Sequence, residues 1–158
     1  MSCLLEGRDV FAVMPTGFGK SFIFELLATA IEQKKISEGL QPNSMILVIC
    51  LLISLIEDQT KEGQSLGLTC ASMQDVNSLL EDNPLPQLLF ESAEKALDND
   101  FKRILKGRSS KFHQQVECIV VDESHIVEIW MGKRFVRCCS HSITLITFSL
   151  PYRTIMFP

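Results

Sequence analysis

Val10-Phe11-Ala12-Val13-Met14, followed by Pro15-Thr16-Gly17-Phe18-Gly19-Lys20-Ser21, decides the fold of this 158-residue chain. Five consecutive apolar residues predict a short buried strand over Val10–Met14. Pro15 and the two glycines predict a turn. From Lys20 the apolar residues change to helical spacing, with Phe22/Ile23, Leu26/Leu27 and Ala30/Ile31 recurring every four residues. Lys34 and Lys35 carry charges suited to a helix C-terminus and mark where this helix should fade. A strand, a glycine-rich turn and a helix in that order aim backbone amides and the positive helix end at an anion.

The residues of the turn sharpen that reading. A phosphate loop reads Gly, four residues, then Gly-Lys-Ser/Thr, between a strand and a helix. Met14 stands at the first glycine position, whereas Gly19-Lys20-Ser21 match. Gly17 and Gly19 permit backbone geometry closed to other residues, so that successive amides can face phosphate oxygens. Lys20 would reach the terminal phosphates of ATP and the Ser21 hydroxyl would join the shell of Mg2+. Pro15, Thr16, Gly17, Phe18, Gly19, Lys20 and Ser21 are therefore the candidate nucleotide-binding residues. A plain strand-turn-helix bearing Gly-Lys-Ser by chance is the alternative, and the apolar strand before and amphipathic helix after it weigh against it.

A second stretch, Cys118-Ile119-Val120-Val121-Asp122-Glu123-Ser124-His125, is an apolar strand with an acidic pair at its tip. Asp122 would hold the metal, directly or through water, and Glu123 would orient and deprotonate the attacking water. Alone, such a pair reads as a solvated turn. Beside a phosphate loop it supplies the missing half of a magnesium–nucleotide site.

Between these stretches the chain alternates. Met45–Cys50 predicts a buried strand, Ser54–Leu66 a helix ended by Gly67, Leu68–Ala71 a weaker strand and Gln87–Phe90 another after the Pro84 and Pro86 breakers. Ala93–Lys106 predicts one helix and Cys118–Val121 the last clear strand. Strands of continuous apolarity alternating with helices predict an α/β fold, a parallel sheet with helices on both faces. Ligands then sit at the carboxyl ends of the strands, where both candidate stretches fall.

Composition sets the outer bounds. Apolar residues are 46% and charged residues 22%, which suits one globular domain rather than disorder. A net charge of −4 gives no overall pull toward nucleic acid, so any such surface must be a local basic patch. Cys50 and Cys118 lie within apolar runs and behave as small hydrophobes, and Cys138, Cys139 and His141 lack a second ligand pair at zinc spacing. Glu6, Arg8 and Asp9 break the N-terminus too early for a secretory leader. Reduced thiols inside the cell follow, with the nucleus as the expected place if the source is eukaryotic. The longest apolar stretch, Met45–Ile56, is too short for a bilayer, which needs about 20 residues.

Met14-Pro15-Thr16-Gly17-Phe18-Gly19-Lys20-Ser21 resembles motif I of RecQ-type helicases, where the first position is often not glycine. Leu52-Ile53-Ser54-Leu55-Ile56-Glu57-Asp58-Gln59 resembles their motif Ia, and Leu88-Leu89-Phe90-Glu91-Ser92-Ala93-Glu94 is similar to motif Ib with its Ser-Pro-Glu segment. Val121-Asp122-Glu123-Ser124-His125 resembles motif II, the DEAH box, with serine for alanine. Ile126–Phe135, holding Trp130, resembles the aromatic-rich loop that couples DNA binding to ATP hydrolysis.

The resemblance covers about Leu5 to Arg137 and implies a RecA-like lobe over 1–137, with 138–158 unassigned and the fold incomplete at its C-terminal end. It implies ATP and Mg2+ as cofactors, DNA (single-stranded or a duplex junction) as partner, and 3′-to-5′ unwinding as the family activity. His125 would link the nucleotide to the DNA-contacting parts. Trp130 either stacks on a base or caps the core, and Lys133, Arg134 and Arg137 either meet phosphates or form a solvated loop.

The departures are also specific. The family's adenine-reading glutamine lies upstream of motif I, before this chain begins. Leu51 replaces the proline of motif Ia, Ala93 that of motif Ib, and Met131-Gly132-Lys133-Arg134-Phe135 alters the family's Gly-His-Asp-Phe-Arg. Nothing after Arg137 resembles motif III, and the second lobe with its arginine finger is expected to be missing. Beside a helicase lobe with little turnover of its own stands a non-catalytic nucleotide- or DNA-binding module derived from one. A small phosphate-loop kinase is disfavoured by the motif Ia and Asp-Glu-Ser-His stretches.

Overall fold

A computed structural model of the chain describes residues 6, 8–15, 17–50, 52–72, 85–96, 98–106, 111–122 and 153–157. The strands are β1 (Val10–Phe11), β2 (Met45–Cys50), β3 (Cys70–Ser72), β4 (Leu88–Ser92), β5 (Val116–Val121) and β6 (Arg153–Met156). The helices are α1 (Lys20–Ser37), α2 (Ile53–Ser65), α3 (Ala93–Ala96), α4 (Asn99–Lys106) and α5 (Lys111–Gln115). Among the described residues the strands form one sheet in the order β1-β6-β5-β2-β4-β3, and every pairing is parallel.

Alternation along each strand divides the core into two layers. Met45, Leu47 and Ile49 of β2, Leu89 of β4 and Ile119 and Val121 of β5 pack against Ala93, Ala96, Phe101, Leu105 and Phe112 of α3, α4 and α5. Ile46, Val48, Cys50, Leu88, Phe90, Cys118 and Val120 face the other way, against Phe24, Leu27, Ala28 and Ile31 of α1 and Ile56 of α2. Helices on both faces require strands that are apolar throughout, and β2 is buried at all six positions. Edge-to-face rings lock each layer: Phe24 on Phe90 with centroids 6.2 Å apart, and Phe101 on Phe112 at 6.1 Å.

One irregularity turns β5. Met45 lies opposite Val116 and Ile46 opposite Cys118, which leaves Glu117 as the extra residue of a bulge. Its carboxylate meets the Lys35 ammonium at 2.6 Å, and the same ammonium donates to the Asn43 carbonyl at 3.0 Å. The end of α1, the approach to β2 and the start of β5 are thereby tied together.

Several sequence expectations need correction. The first strand stops at Phe11 rather than Met14, because its neighbour β6 ends at Met156; Val13 is 75% exposed instead of buried. Helix α1 runs to Ser37, past Lys34 and Lys35, and ends where Gly39 takes φ 71°. There the Leu40 N–H donates to the Lys35 carbonyl and the Gly39 N–H to Ile36, a Schellman closure. The same closure at Gly67 (φ 83°) ends α2, as its sequence predicts, but it draws Leu68 into the turn, so β3 starts only at Cys70. The single helix expected over Ala93–Lys106 is two, because Asp98-Asn99-Asp100 favours a helix start over a helix interior. Gln87 lies just outside β4, which begins at Leu88. Helix α5 was not anticipated, and neither was β6, which draws 153–156 of the otherwise unassigned segment into the sheet between β5 and β1.

Candidate nucleotide-binding site

The chain leaves β1 along the carboxyl edge of the sheet, where the Ala12 N–H donates to the Met156 carbonyl at 2.9 Å. It then folds back on itself, with the Phe18 N–H donating to the Pro15 carbonyl at 3.2 Å. Gly17, third in that turn, has φ 80° and open space where a Cβ would stand, and Gly19 has φ 77° with only ordinary contact to Phe22. Glycine is thus required by conformation, not by crowding. Thr16 lies outside the described residues.

Gly19 is the N-cap of α1 in left-handed geometry, and it has no side chain with which to cap the helix. The amides of the first turn therefore have no intrahelical acceptor and no cap from the residue that starts the helix, which is the arrangement that receives an anion. No acidic residue in that turn opposes the positive end of the dipole. Gly17, Phe18 and Gly19 are exposed, with Lys20 and Ser21 half-buried behind them.

On the same edge, two strands away, β5 delivers Asp122. The Phe157 N–H donates to the Val121 carbonyl and the Asp122 N–H to the Ile49 carbonyl, both at 3.0 Å. Asp122 is only 7% exposed. Strand β6 alone separates β1 from β5, so the root of the loop and the root of Asp122 lie about 10 Å apart at ordinary strand spacing. Loop and carboxylate thus flank one stretch of edge, and their polar groups, first-turn backbone amides with a lysine, a serine and an aspartate, suit a polyphosphate with a hard cation. Glu123, His125, Trp130, Lys133 and Arg134 lie outside the described residues.

The neighbouring motif segments fall on this edge too. Leu52 is the N-cap of α2, Asp58 is exposed, and Gln59 lies against the Cys50 thiol, Sγ to Oε1 3.8 Å. Ser92 accepts the Lys95 N–H at 3.3 Å, capping α3, so Ala93 occupies the first helical position that proline otherwise favours. Sequence reasoning missed a second buried acid on this edge, across β2 from Asp122. Glu91 is buried with Oε2 unpartnered, while the Ser92 N–H donates to its Oε1 at 2.6 Å; burial raises its pKa, with the Ser92 N–H and Lys95 opposing. Burial, then Asp122 and Glu91, push the Cys50 thiol up to about 12. An acid directly after the apolar run Leu88–Phe90 is the available signal. Ile49 and Met156, whose carbonyls anchor Asp122 and the loop, carry no signal in their side chains.

The family model described as DEAD/DEAH box helicase matches residues 1–157. This chain belongs to the DEAD/DEAH box helicases. Within them it is RecQ-like: it is 31% identical over 137 residues to the ATP-dependent DNA helicase hus2/rqh1 of Schizosaccharomyces pombe, covering 80% of this chain and 10% of that one. It is 29% identical over 139 residues to the ATP-dependent DNA helicase RecQ of Haemophilus influenzae, covering 82% of this chain and 20% of the relative. The chain thus spans only a tenth to a fifth of the length of these relatives. The helicase Lhr of Mycobacterium smegmatis, solved with ssDNA and AMP-PNP, superposes with a TM-score of 0.63 at 17% identity, over 99% of this chain and 21% of that one. The fold is accordingly that of a RecA-like helicase lobe. Among the described residues no helix is long and apolar enough to cross a membrane.

Proposed function

We propose that this chain is the ATP-binding first lobe of a RecQ-like DNA helicase, residues 1–137 carrying the motifs, and that the whole protein unwinds DNA in the 3′-to-5′ direction. The observation that favours it most is the shared edge: a glycine-started helix α1 and the buried Asp122 flank one strand end. In this reading the amides of Pro15–Ser21 and the helix end bind the phosphates, Lys20 neutralises the terminal ones, and Ser21 and Asp122 hold Mg2+, which supplies charge compensation as the leaving oxygen develops. Glu123 takes the proton of the attacking water, and His125 passes the state of the site toward DNA-contacting Trp130, Lys133 and Arg134. A second helicase lobe is the expected partner, with an intracellular, and in a eukaryote nuclear, setting.

The resemblance assigns adenine reading and the arginine finger to segments outside these 158 residues. The isolated polypeptide should therefore bind ATP weakly and hydrolyse it at close to background. Steady-state phosphate release with and without single-stranded DNA tests this. Release that remains near background in both supports it, and robust DNA-stimulated turnover by the isolated polypeptide contradicts it.

A further inference from the structure

Glu25 lies in the second turn of α1 and is 3% exposed, in an otherwise apolar layer. Its neighbours along the helix, Phe24, Leu27 and Ala28, pack with Ile56 of α2, with Leu68, and with Phe90 and Leu88 of β4, while Cys70 of β3 closes the layer. Its Oε1 is buried without a hydrogen-bond partner, and among the described residues it forms no ion pair. The charged group that acts on it is acidic, Glu62 from α2, and Glu25 in turn raises the pKa of the Cys70 thiol of β3. From β4 the facing residues are apolar, and Glu32, two turns along α1, is engaged by the Gln87 amide at 2.6 Å. Helix α2 is itself seated tightly on β3, since a Cβ on Gly63 would stand 2.6 Å from the Cys70 sulfur.

We propose that Glu25 is a proton-dependent latch between α1 and α2: neutral, it lets the two helices close over β3 and β4, and ionised, it loosens that contact. A buried carboxylate without a partner is costly, and such a group keeps its proton instead. Burial first, and Glu62 second, raise the Glu25 pKa above the ordinary glutamate value. The folded chain therefore binds a proton that the unfolded chain releases. The stabilisation is complete below the unfolded pKa and is lost as pH rises through the folded one. Because α1 opens with the glycine loop, the latch also bears on how firmly that loop is seated, but it stands without any nucleotide.

The test is thermal unfolding of the whole chain between about pH 5 and pH 9, for the parent, Glu25→Gln and Glu62→Gln, paired with carboxyl-carbon NMR of Glu25. The parent should lose midpoint temperature as pH rises. Glu25→Gln should lose less and exceed the parent by several degrees at the alkaline end, and Glu62→Gln should complete its loss at lower pH. Groups common to all three contribute equally, so the difference between curves isolates Glu25. Parallel curves for parent and Glu25→Gln overturn the latch. Should Glu25→Gln fail to fold, the NMR titration decides: a Glu25 midpoint above those of the exposed glutamates, lowered in Glu62→Gln, supports it, and one within their range overturns it.

Discussion

The backbone N–H of Asp122 donates to the carbonyl of Ile49 across 3.0 Å, which fixes the residue after β5 against the central strand β2. Asp122 is held there by the sheet itself, so the direction of its carboxylate follows from strand register. That register is set by the buried alternation of β2 and β5, in which a slip of one residue would exchange the two core layers.

Lys20 supplies the charge at the first turn of α1. Replacing it by alanine removes a charge-assisted hydrogen bond worth about 1.5–3 kcal/mol, so ATP affinity should fall by roughly 10- to 100-fold. Titration calorimetry measures this, with circular dichroism to show that the fold survives. Unchanged affinity would remove Lys20 from the site.

How much of this was legible follows from where each signal sits. Met45–Cys50 was read to the residue because burial on both faces leaves no polar position within it. Gly67 marks the end of α2, whereas Gly39, with the same role in α1, is masked by Lys34 and Lys35, whose charges already suit a helix end. Strand β6 was illegible because its place depends on β5 and β1, both distant in sequence, and Arg153 at its start broke the apolar run. Helix α5 has five residues with Phe112 as its one large apolar member, too little for a period. Of the site, the glycine loop and Asp122 were legible through spacing and residue type. The Asp122–Ile49 and Ala12–Met156 bonds that align them are backbone events, which no side chain announces.

Gly63 of α2 has no room for a side chain against Cys70 of β3. Gly63→Ala puts a methyl group 2.6 Å from the Cys70 sulfur and should destabilise the chain by about 1–3 kcal/mol, despite the better helix propensity of alanine. Cys70→Ala in the same chain should recover most of that loss. A double-mutant cycle in urea checks it, and additive losses would mean that the crowding lies elsewhere.

Cys50 should be inert in the folded chain. With its pKa pushed up to about 12, first by burial and then by Asp122 and Glu91, about one thiol in ten thousand is ionised at pH 8. Iodoacetamide at that pH should leave the Cys50 peptide unmodified until urea is added, as read by mass spectrometry. Labelling of native chain at the rate of a free thiol would show that the carboxyl end of β2 is open.

The most direct measurement for a single site shared by loop and acid compares the affinity of a fluorescent ATP analogue with and without Mg2+, in the parent chain, Lys20→Ala and Asp122→Asn. The magnesium-dependent gain in affinity should vanish in Asp122→Asn while metal-free binding persists, and Lys20→Ala should weaken binding under both conditions. An Asp122→Asn chain that keeps the full magnesium gain would place the metal elsewhere and separate the two halves of the site.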